Sequence, residues 1–522
     1  MALKIILFAF LLCASLNDAL RLLVFFPMSA KSHSILGHGI VDNLLAAGHE
    51  IVHITAFPKE EKVSNLIEID VSIVGERIKK TLFNSEDYKL QKLAENKIDP
   101  MMLMGFIYEI HRQVLEEPAI IELFENPKQK FDGVIIEWFF SNFVAGIAPL
   151  YEAPLIWVAT TEAHWQVLEV IDGPCNPAYN VDLFSTNTPP LSFVERVMEL
   201  YTMVKRYILT WCYIIPKEMD IYDKSLSKMA AKRGIKLPSY NDAIYNASLL
   251  LINSHPSIGT PYNLPQNAKY VAGYHITEVK PLPQDLKQIM DGAKKGVIYF
   301  SMGSNLRSSD MSEKMKNDFL KMFEKLDETV IWKFESDLEN VPRNVHLVKW
   351  APQQSILAHP NLKFFITHGG QLSTIEAIHF GVPVIGIPIL GDQYINMNSV
   401  SKKGFGITVK LSEDEIISDL TAAITEMKTN PMYTIKAKEL SAIYHNRQAT
   451  PGKDLVYWIE YVITTGGAHL KSPGLSLPLY KKLYLDLIAL ICVILYFLTK
   501  KIRSVICKRR RRSARNEKIK WK

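Results

Sequence analysis

The sequence lacks the short motifs by which several large enzyme classes are recognised. It has no phosphate-binding loop ending in Gly-Lys-Ser/Thr and no Gly-x-Ser-x-Gly nucleophile elbow. A dinucleotide fingerprint starts at Gly37-His38-Gly39, but Asp42 stands where the third glycine should be. None of the five cysteines clusters with histidine at zinc-binding spacing. The sequence therefore gives no support for a P-loop nucleotide site, a hydrolase nucleophile elbow, a Rossmann dinucleotide site or a cysteine–histidine zinc site.

The body of the chain also has little basic charge. The 522 residues carry a net charge of +6, yet residues 500–522 hold twelve of the 60 Lys and Arg residues against one acid, Glu517. The remaining residues have 48 bases and 53 acids, a net charge of −5. Because nucleic-acid-binding domains present a basic surface, we expect no nucleic-acid partner. The length and the 48% hydrophobic content favour two or three well-cored domains.

Apolar segments near the two ends predict targeting and anchoring. Residues 1–19 have the pattern of a signal peptide, with Lys4 before an apolar run and Ala19 at the cleavage position. Residues 483–499 predict a transmembrane helix interrupted only by Asp486, since at ~1.5 Å per residue this length just crosses a ~30 Å hydrocarbon core. The alternatives are a buried strand or an anchor for the first segment and a buried core helix for the second.

This pattern predicts a single-pass type I protein of the endoplasmic reticulum membrane. Its catalytic domains would be lumenal, followed by a juxtamembrane linker (466–482) and a basic cytosolic tail (500–522). Residues 518–522 have the spacing of a dilysine retrieval signal, whereas a nuclear-localisation signal at 509–512 is the alternative. Asn246, in the sole N-x-S/T sequon, is the predicted glycosylation site. Two cysteines would face the oxidising lumen, where a disulfide is compatible with the sequence: Cys175 and Cys212.

The mature chain alternates strands with helices twice, which predicts two doubly wound α/β domains. The N-terminal domain would cover 20–283 and the C-terminal domain 284–465, with prolines 281 and 283 in the linker. The predicted strands are Leu20 to Phe26, Glu50 to Thr55, Gly133 to Ile136, Leu155 to Ala159, Val297 to Ser301, Val330 to Phe334, Val345 to Lys349, Phe364 to Thr367 and Pro383 to Ile387. After the first strand we predict a loop from Ser29 to His38 and then a helix from Val41 to Ala47.

Two apolar helical stretches in the first half permit more than one interpretation. They are Met101 to Leu123 and Phe193 to Trp211. Either stretch is suited to line an apolar acceptor pocket or to contact a membrane surface. Simple core helices are an equally good interpretation for each.

The most informative stretch runs from Trp350 to Gln393. A buried strand there ends in a His368-Gly369-Gly370 turn, and a helix predicted from Ser373 begins just after it. Two glycines permit close backbone approach, and the unsatisfied N–H groups of a helix N-terminus favour negative charge. This combination predicts a phosphate site to which His368 can donate a hydrogen bond.

Other polar side chains of this stretch follow the ends of neighbouring strands. Trp350 offers a flat face for a base, and Glu376, one turn into the helix, suits ribose hydroxyls. Asp392 and Gln393, after the next strand, suit sugar hydroxyls. All lie at the carboxyl ends of successive parallel strands, where open α/β sheets bind ligands.

These residues resemble the signature of the family-1 UDP-glycosyltransferases, and among them the insect-type membrane-bound members. The resemblance implies a GT-B fold, in which two Rossmann-like domains face a cleft, and an inverting transferase without a cofactor or metal. It implies that Trp350 stacks on uracil while Gln353 and Glu376 hold the ribose. It further implies diphosphate contacts from His368, Gly370 and Ser373, and sugar contacts from Asp392 and Gln393. Ser304, in a loop similar to the family's phosphate-contacting loop, and Lys333 would assist.

One position departs from the vertebrate glucuronosyl members, which have Asn where this chain has Leu372. The departure favours UDP-glucose over UDP-glucuronate. The family also implies a small lipophilic acceptor, such as a phenol or an alcohol. The sequence is also compatible with a homo-oligomer.

The resemblance implies that the catalytic base is His33, which follows the first strand and faces the cleft in this fold. Its neutral imidazole would take the proton of the acceptor hydroxyl, and an orienting carboxylate would stabilise the imidazolium. Glu137 stands at the end of the matching strand, where many family members have the shorter Asp. His38 and His49 are nearby competitors. The alternative function is a non-catalytic carrier or receptor for lipophilic ligands that keeps this fold.

Overall fold

Two parallel sheets organise the protein, and each is built from near-continuous apolar strands. The structure is a computed structural model that describes residues 19–82, 100–173, 175–304 and 306–520. The first sheet has the order β3-β2-β1-β4-β5-β6-β7 and the second β10-β9-β8-β11-β12-β13, with parallel pairing throughout. The strands are β1 (Arg21–Phe26), β2 (Glu50–Thr55), β3 (Leu66–Asp70), β4 (Gly133–Trp138), β5 (Leu155–Ala159), β6 (Leu249–Ile252), β7 (Ala268–Tyr270), β8 (Val297–Ser301), β9 (Thr329–Lys333), β10 (Val345–Val348), β11 (Leu362–Thr367), β12 (Val384–Gly386) and β13 (Gly406–Thr408).

Helices cover both faces of each sheet, which explains why the central strands are apolar on both sides. In the first half they are α1 (Lys31–Ala46), α2 (Ser72–Leu82), α3 (Pro100–Leu115), α4 (Pro118–Glu125), α5 (Trp165–Glu169), α6 (Phe193–Leu209), α7 (Ile215–Ile221), α8 (Ser227–Lys232) and α9 (Tyr240–Ile244). In the second half they are α10 (Gln284–Gly292), α11 (Glu313–Glu324), α12 (Gln353–Leu357), α13 (Gln371–Phe380), α14 (Gln393–Lys403), α15 (Ile416–Thr429), α16 (Met432–His445), α17 (Pro451–Thr465), α18 (Leu479–Lys482) and α19 (Leu485–Lys520). Short 3-10 helices lie at Phe143–Tyr151, Ser308–Asp310, Ala468–Leu470 and Pro473–Ser476, and π-helical turns at Thr210–Ile214 and Tyr222–Leu226.

The strand order places a topological switch point in each sheet. In the first sheet the chain leaves β1 in one direction for β2 and in the other for β4. In the second sheet β8 lies between β9 and β11 in the same way. Ligands of open α/β sheets bind outside the carboxyl ends of the strands at such points. The fold therefore provides one such crevice in each domain.

The predicted loop from Ser29 to His38 is wrong, because α1 already begins at Lys31. The loop was predicted from the polar, histidine-containing character of these residues, and the helix also contains Gly37 and Gly39, although glycine usually weakens a helix. Here both permit close packing: a Cβ on Gly37 would lie 3.1 Å from Phe26, and one on Gly39 2.9 Å from the His275 backbone.

The two apolar helical stretches of the first half differ in the structure. The first is two helices, α3 and α4, and α3 buries Ile107, Ile110 and Val114 completely, so it is a core helix. The second, α6, ends at Leu209 and leaves an apolar face open, with Phe193 72% exposed. The predicted continuation to Trp211 is a π-helical turn.

The chain returns to the N-terminal domain before it ends. Leu455, Ile459 and Val462 of α17 pack in the apolar cluster that lies between α1 and the first sheet. The predicted C-terminal domain of 284–465 therefore includes a helix that packs on the other domain. The polypeptide crosses between the domains twice, near residue 283 and near residue 450.

The structure bears on the predicted signal peptide, membrane span, disulfide and glycosylation site. The signal-peptide residues 1–18 lie outside the described residues. Among the described residues, no helix combines the length and apolar character needed to cross a membrane, so the span predicted at 483–499 is not confirmed. Cys175 and Cys212 are both free thiols. Asn246 is exposed, and Lys471 Nζ donates to its side-chain oxygen at 2.5 Å.

Candidate functional site

The N-terminal domain brings a histidine and a carboxylate together at its switch point. His33 lies in the first turn of α1, directly after β1, and Glu137 is the penultimate residue of β4. Since β1 and β4 are neighbours in the sheet, His33 Nδ1 contacts Glu137 Oε1 in a short hydrogen bond. The Glu137 side chain is fully buried, and that of His33 is 16% exposed. The predicted pair is therefore assembled, with the extra methylene of Glu accommodated.

The electrostatics around His33 favour its protonated form. Burial lowers the pKa of His33, but the charge and the hydrogen bond of Glu137 raise it, and the charge of Asp392 adds to the increase. The resulting pKa of His33 lies above its usual value. Because Nδ1 is engaged by Glu137, Nε2 is the nitrogen left to accept a proton. A neutral imidazole in this setting is a general base whose product is stabilised.

Aromatic rings continue from this histidine into the apolar core of the N-terminal domain. The Phe139 ring meets the His33 ring edge-on at 4.7 Å between centroids. Phe140 lies 5.4 Å from Phe139 and stacks on Phe184 at 5.8 Å. Phe140 is buried and the other two phenylalanines are partly buried against the same core, so these rings form an apolar aromatic wall next to His33.

Opposite the catalytic pair, the C-terminal domain presents the predicted phosphate-binding turn. β11 ends at Thr367, and α13 starts at Gln371 with Gly370 as an N-cap that has no side-chain hydrogen bond. The N-terminus of α13 therefore has no side-chain cap, although the Gln371 backbone amide is hydrogen-bonded to the Asp392 carboxylate. Gly369 has φ of 80°, a left-handed conformation that glycine adopts without strain.

His368 is held between two glycines, which the sequence pattern did not show. A Cβ on Gly303 would lie 2.5 Å from His368 Cε1, and one on Gly370 would lie 2.5 Å from its Nε2. Burial and the charge of Lys333 lower the pKa of His368 to about 4. The imidazole is therefore neutral at physiological pH, which suits a hydrogen-bond donor rather than a cation.

Lys333 ends β9 beside this turn. Its Nζ donates to the Gly303 carbonyl oxygen at 2.7 Å and pairs with Glu335 at 2.9 Å. It also lies 5.5 Å from the centroid of Trp350, whose ring is 58% exposed as a stacking platform requires. Ser304 follows Gly303 and is half-buried. The two residues assigned only assisting roles, Ser304 and Lys333, are thus next to the phosphate turn and the platform.

The predicted ribose-binding residues form a network. Glu376 accepts from Gln353 Nε2 at 2.6 Å and from Gln354 at 2.9 Å, and Gln353 also donates to Ser373 Oγ at 3.1 Å. Burial raises the pKa of Glu376, but His275 and the two glutamines outweigh this effect and lower it. Glu376 is therefore an anionic acceptor placed one turn into α13.

The predicted sugar-binding residues begin α14. Gln393 Oε1 accepts from the backbone amides of Ile389 at 2.8 Å and Leu390 at 3.1 Å, which fixes the loop before it. Asn396 donates to Asp392 at 2.8 Å and to the Gly369 carbonyl at 3.0 Å. Burial raises the pKa of Asp392, although its hydrogen bonds and His33 counteract the increase.

Contacts between the domains supply residues that the sequence prediction missed. His275 of the N-terminal domain lies 3.5 Å from Glu376, and Gln371 Nε2 donates to the Asn253 carbonyl at 3.0 Å. Asn396, described above, was also missed. The partners of the interdomain pairs are separated by about a hundred residues, so no local spacing signals them. His38 and His49, the competitors of His33, contact Glu68 and Glu460 instead.

The profile of the family described as "UDP-glucoronosyl and UDP-glucosyl transferase" matches residues 21–518. UDP-glucosyltransferase 2 of Dactylopius coccus is 33% identical over 94% of this chain and 93% of its own length. The chain belongs to the UDP-glycosyltransferase family. UDP-glucuronosyltransferase 2B15 of Rattus norvegicus is 32% identical over 66% of this chain and 63% of its own.

A solved structure shows the same fold. UGT89C1 of Arabidopsis thaliana, complexed with UDP-L-rhamnose, superposes with a TM-score of 0.55 at 14% identity, over 86% of this chain and 100% of its own. The fold is thus GT-B, as the sequence resemblance implied, and the chain is a UDP-glycosyltransferase. A UDP-sugar is its donor.

Proposed function

We propose that this UDP-glycosyltransferase moves glucose from UDP-glucose to a hydroxyl group of a small lipophilic acceptor, with inversion at the anomeric carbon. The observation that carries the proposal is the buried contact between His33 and Glu137, opposite the His368-Gly369-Gly370 turn. A base and a phosphate site on opposite sides of one cleft suit an inverting reaction, in which the acceptor oxygen attacks one face of the sugar and UDP leaves from the other.

His33 acts as the general base. Nε2 removes the proton of the acceptor hydroxyl as the oxygen attacks the anomeric carbon. The bond from that carbon to the phosphate oxygen breaks, and its electron pair leaves with UDP. The proton remains on His33, where the Glu137 carboxylate stabilises the imidazolium until solvent removes it.

The departing diphosphate is stabilised by the C-terminal domain. The N-terminus of α13 and the neutral His368 donate hydrogen bonds to its oxygens, with Ser373 and Ser304 nearby. Trp350 stacks on the uracil, Gln353 and Glu376 hold the ribose, and Asp392 with Gln393 holds the sugar. We further propose that transfer needs no metal ion or cofactor, because these donors supply the charge stabilisation.

The choice of glucose rests on Leu372 in the first turn of α13. Leu372 is half-buried and packs against the apolar cluster of the N-terminal domain that contains Leu22 and Tyr274. An apolar contact there offers no hydrogen bond to a uronate carboxylate. The name of the Dactylopius coccus relative, UDP-glucosyltransferase 2, supports the same choice.

The lipophilic acceptor is supported by the aromatic wall of Phe139, Phe140 and Phe184 beside His33. Such rings favour a flat apolar molecule whose hydroxyl reaches Nε2. We propose that the protein works as a conjugating enzyme, anchored by residues 483–499 with lumenal domains and a glycan on Asn246. The exposed apolar side chains of α19, such as Leu490 and Phe497, support anchoring.

The test is transfer by microsomes that contain the protein, with UDP-glucose or UDP-glucuronate over a panel of phenols. We expect glucosides, and equal or preferred use of UDP-glucuronate would overturn the donor assignment. In intact microsomes protease should remove the tail, whereas protection of the tail would contradict the topology.

The alternative is a carrier that binds lipophilic ligands without catalysis. It predicts ligand binding without UDP release across the whole panel, with and without UDP-glucose. The presence of both His33 and Asp392 favours the enzyme, because a carrier has no need for an oriented base or a sugar-binding carboxylate.

A further inference from the structure

A second group of titratable side chains lies on the other side of α1 from the catalytic pair. His38 comes from α1, His53 from β2 and Glu68 from β3. His53 and Glu68 are directly paired in the parallel register of β2 and β3, so their side chains lie on the same face of the sheet. α1 packs over that face and adds His38. Neither the donor site nor the catalytic pair uses these residues.

The ligand atoms of the three side chains converge. His53 Nδ1 lies 3.0 Å from Glu68 Oε1, and His38 Nε2 lies 3.3 Å from the same oxygen. One ligand atom of each residue lies within 4.8 Å of the others. In a tetrahedral site with metal–ligand bonds of ~2.0–2.1 Å, neighbouring ligands are about 3.3 Å apart. The two distances to Glu68 Oε1 match those between neighbouring ligands of one ion, and the two histidine nitrogens lie within 4.8 Å of each other.

Neighbouring groups orient two of the three ligands, Glu68 and His38, whereas the buried Nε2 of His53 has no hydrogen-bond partner. The Lys59 backbone amide donates to Glu68 Oε2 at 2.7 Å, which leaves Oε1 directed at the histidines. Ser34 Oγ lies 3.4 Å from His38 Nδ1, where it can accept a hydrogen bond from the N–H on the far side of the ring. Partners of this kind fix tautomers and carboxylate orientation in metalloproteins.

The charges also suit a divalent cation. Burial lowers the pKa of His53 and of His38, which keeps both rings neutral. Burial raises the pKa of Glu68, but hydrogen bonds from His53 and the Lys59 amide outweigh it and bring the value to about 2. The nearby Lys59 ammonium is paired with the Asp42 carboxylate. Two neutral imidazoles and one carboxylate remain.

We propose that His38, His53 and Glu68 bind one zinc ion, with water as the fourth ligand. Two imidazoles and a carboxylate are a ligand set that zinc prefers over magnesium or calcium. His38 and Glu68 are 18% and 11% exposed, which gives the ion and its water a way in, while His53 is fully buried. The ion joins α1 to the edge of the sheet and so stabilises the helix that carries His33.

The test uses the full-length protein in detergent, without a polyhistidine tag, after removal of metals with a chelator. Calorimetric titration with Zn²⁺ should give one site per chain, and Co²⁺ should give the intense visible bands of a tetrahedral complex. Weak octahedral bands, or no saturable site, would overturn the proposal and leave a hydrogen-bonded triad.

Variants locate the site. Glu68→Gln keeps the shape of the side chain and should weaken Zn²⁺ binding by about 10²-fold or more. Asp42→Asn removes the same unit of charge beside the site but no ligand, so it should change the affinity less than ~10-fold. Equal losses in the two variants would show a charge effect only and reject the site.

Two more variants keep the test decisive. If Glu68→Gln does not fold, His38→Gln, at a partly exposed position of α1, should show the same loss of affinity; unchanged binding would reject the assignment. His33→Ala should bind Zn²⁺ as the parent does, and loss of binding there would place the ion on the catalytic pair instead.

Discussion

Two histidines on opposite sides of the cleft have opposite electrostatic surroundings. His33 is hydrogen-bonded to the buried Glu137, and its pKa is raised. His368 lies between two glycines with Lys333 as its charged neighbour, and its pKa is lowered to about 4. One histidine is therefore suited to gain a proton, and the other is suited to remain neutral. The neighbouring charge, not the residue type, determines which task each histidine performs.

Removal of the base should have the largest effect. We expect His33→Ala to lower kcat by about 10²–10⁴-fold, because no positioned base then removes the proton of the substrate hydroxyl. Affinity for UDP, measured by calorimetry, should not change, since the diphosphate site lies in the other domain. His346→Ala, a half-buried histidine on β10, is the matched control and should keep parental turnover. Parental turnover in His33→Ala itself would refute its assignment as the base.

Glu137→Gln should come next, with a loss in kcat of about 10²-fold or more, because the amide cannot stabilise the imidazolium. It should also move the pH profile. Only neutral His33 is a base, so activity falls as pH drops through its raised pKa. Loss of the Glu137 charge lowers that pKa, and the acid limb of kcat/KM should move to lower pH. An acid limb that stays in place would mean that another group titrates.

His368→Ala should weaken UDP binding by about 10- to 100-fold, the equivalent of one hydrogen bond to a charged group. Since the pKa of His368 is about 4, parental UDP affinity should show no His368 titration between roughly pH 5.5 and 8. This result would set His368 apart from His33 in the same protein. A marked rise in affinity as pH falls through that range would indicate that His368 binds as a cation.

Leu372→Asn should have the smallest effect. We expect a shift of less than ~10-fold in kcat/KM toward UDP-glucuronate, because one new hydrogen bond contributes only about 1 kcal/mol. Leu372→Met keeps the apolar contact and serves as the control. If both variants give the same donor ratio as the parent, Leu372 does not select the sugar.

Much of the fold follows from the sequence because buried parallel strands have apolar runs that end in glycine or polar turns. The central strands β1, β8 and β11 are of this kind. The start of α1 was missed because Ala30 provides no capping side chain and because its two glycines serve packing rather than a turn. Strand β3 was missed because it is a half-exposed edge strand in which Glu68 and Asp70 interrupt the apolar residues.

For the site, the residues at strand ends were predictable because parallel strands align their carboxyl ends. What could not be predicted is which of them touch. The network of Gln353, Ser373 and Glu376 depends on side-chain packing between α12 and α13. The contact of His275 with Glu376 depends on how the two domains dock, which no local pattern encodes.

The double crossing of the chain between the domains limits how the cleft can open. Tyr444 Oη and Arg447 Nη1 both donate to the Ala272 carbonyl, at 3.0 and 3.1 Å, and fasten the second crossing beside the first. Because the two domains are joined by two connecting segments, we expect the cleft to open by rotation of one domain about the axis through both segments. A chimaera that takes its C-terminal domain from a relative therefore needs two junctions, near residues 283 and 450. A single junction near residue 283 would also replace α17, which packs against α1 of the N-terminal domain.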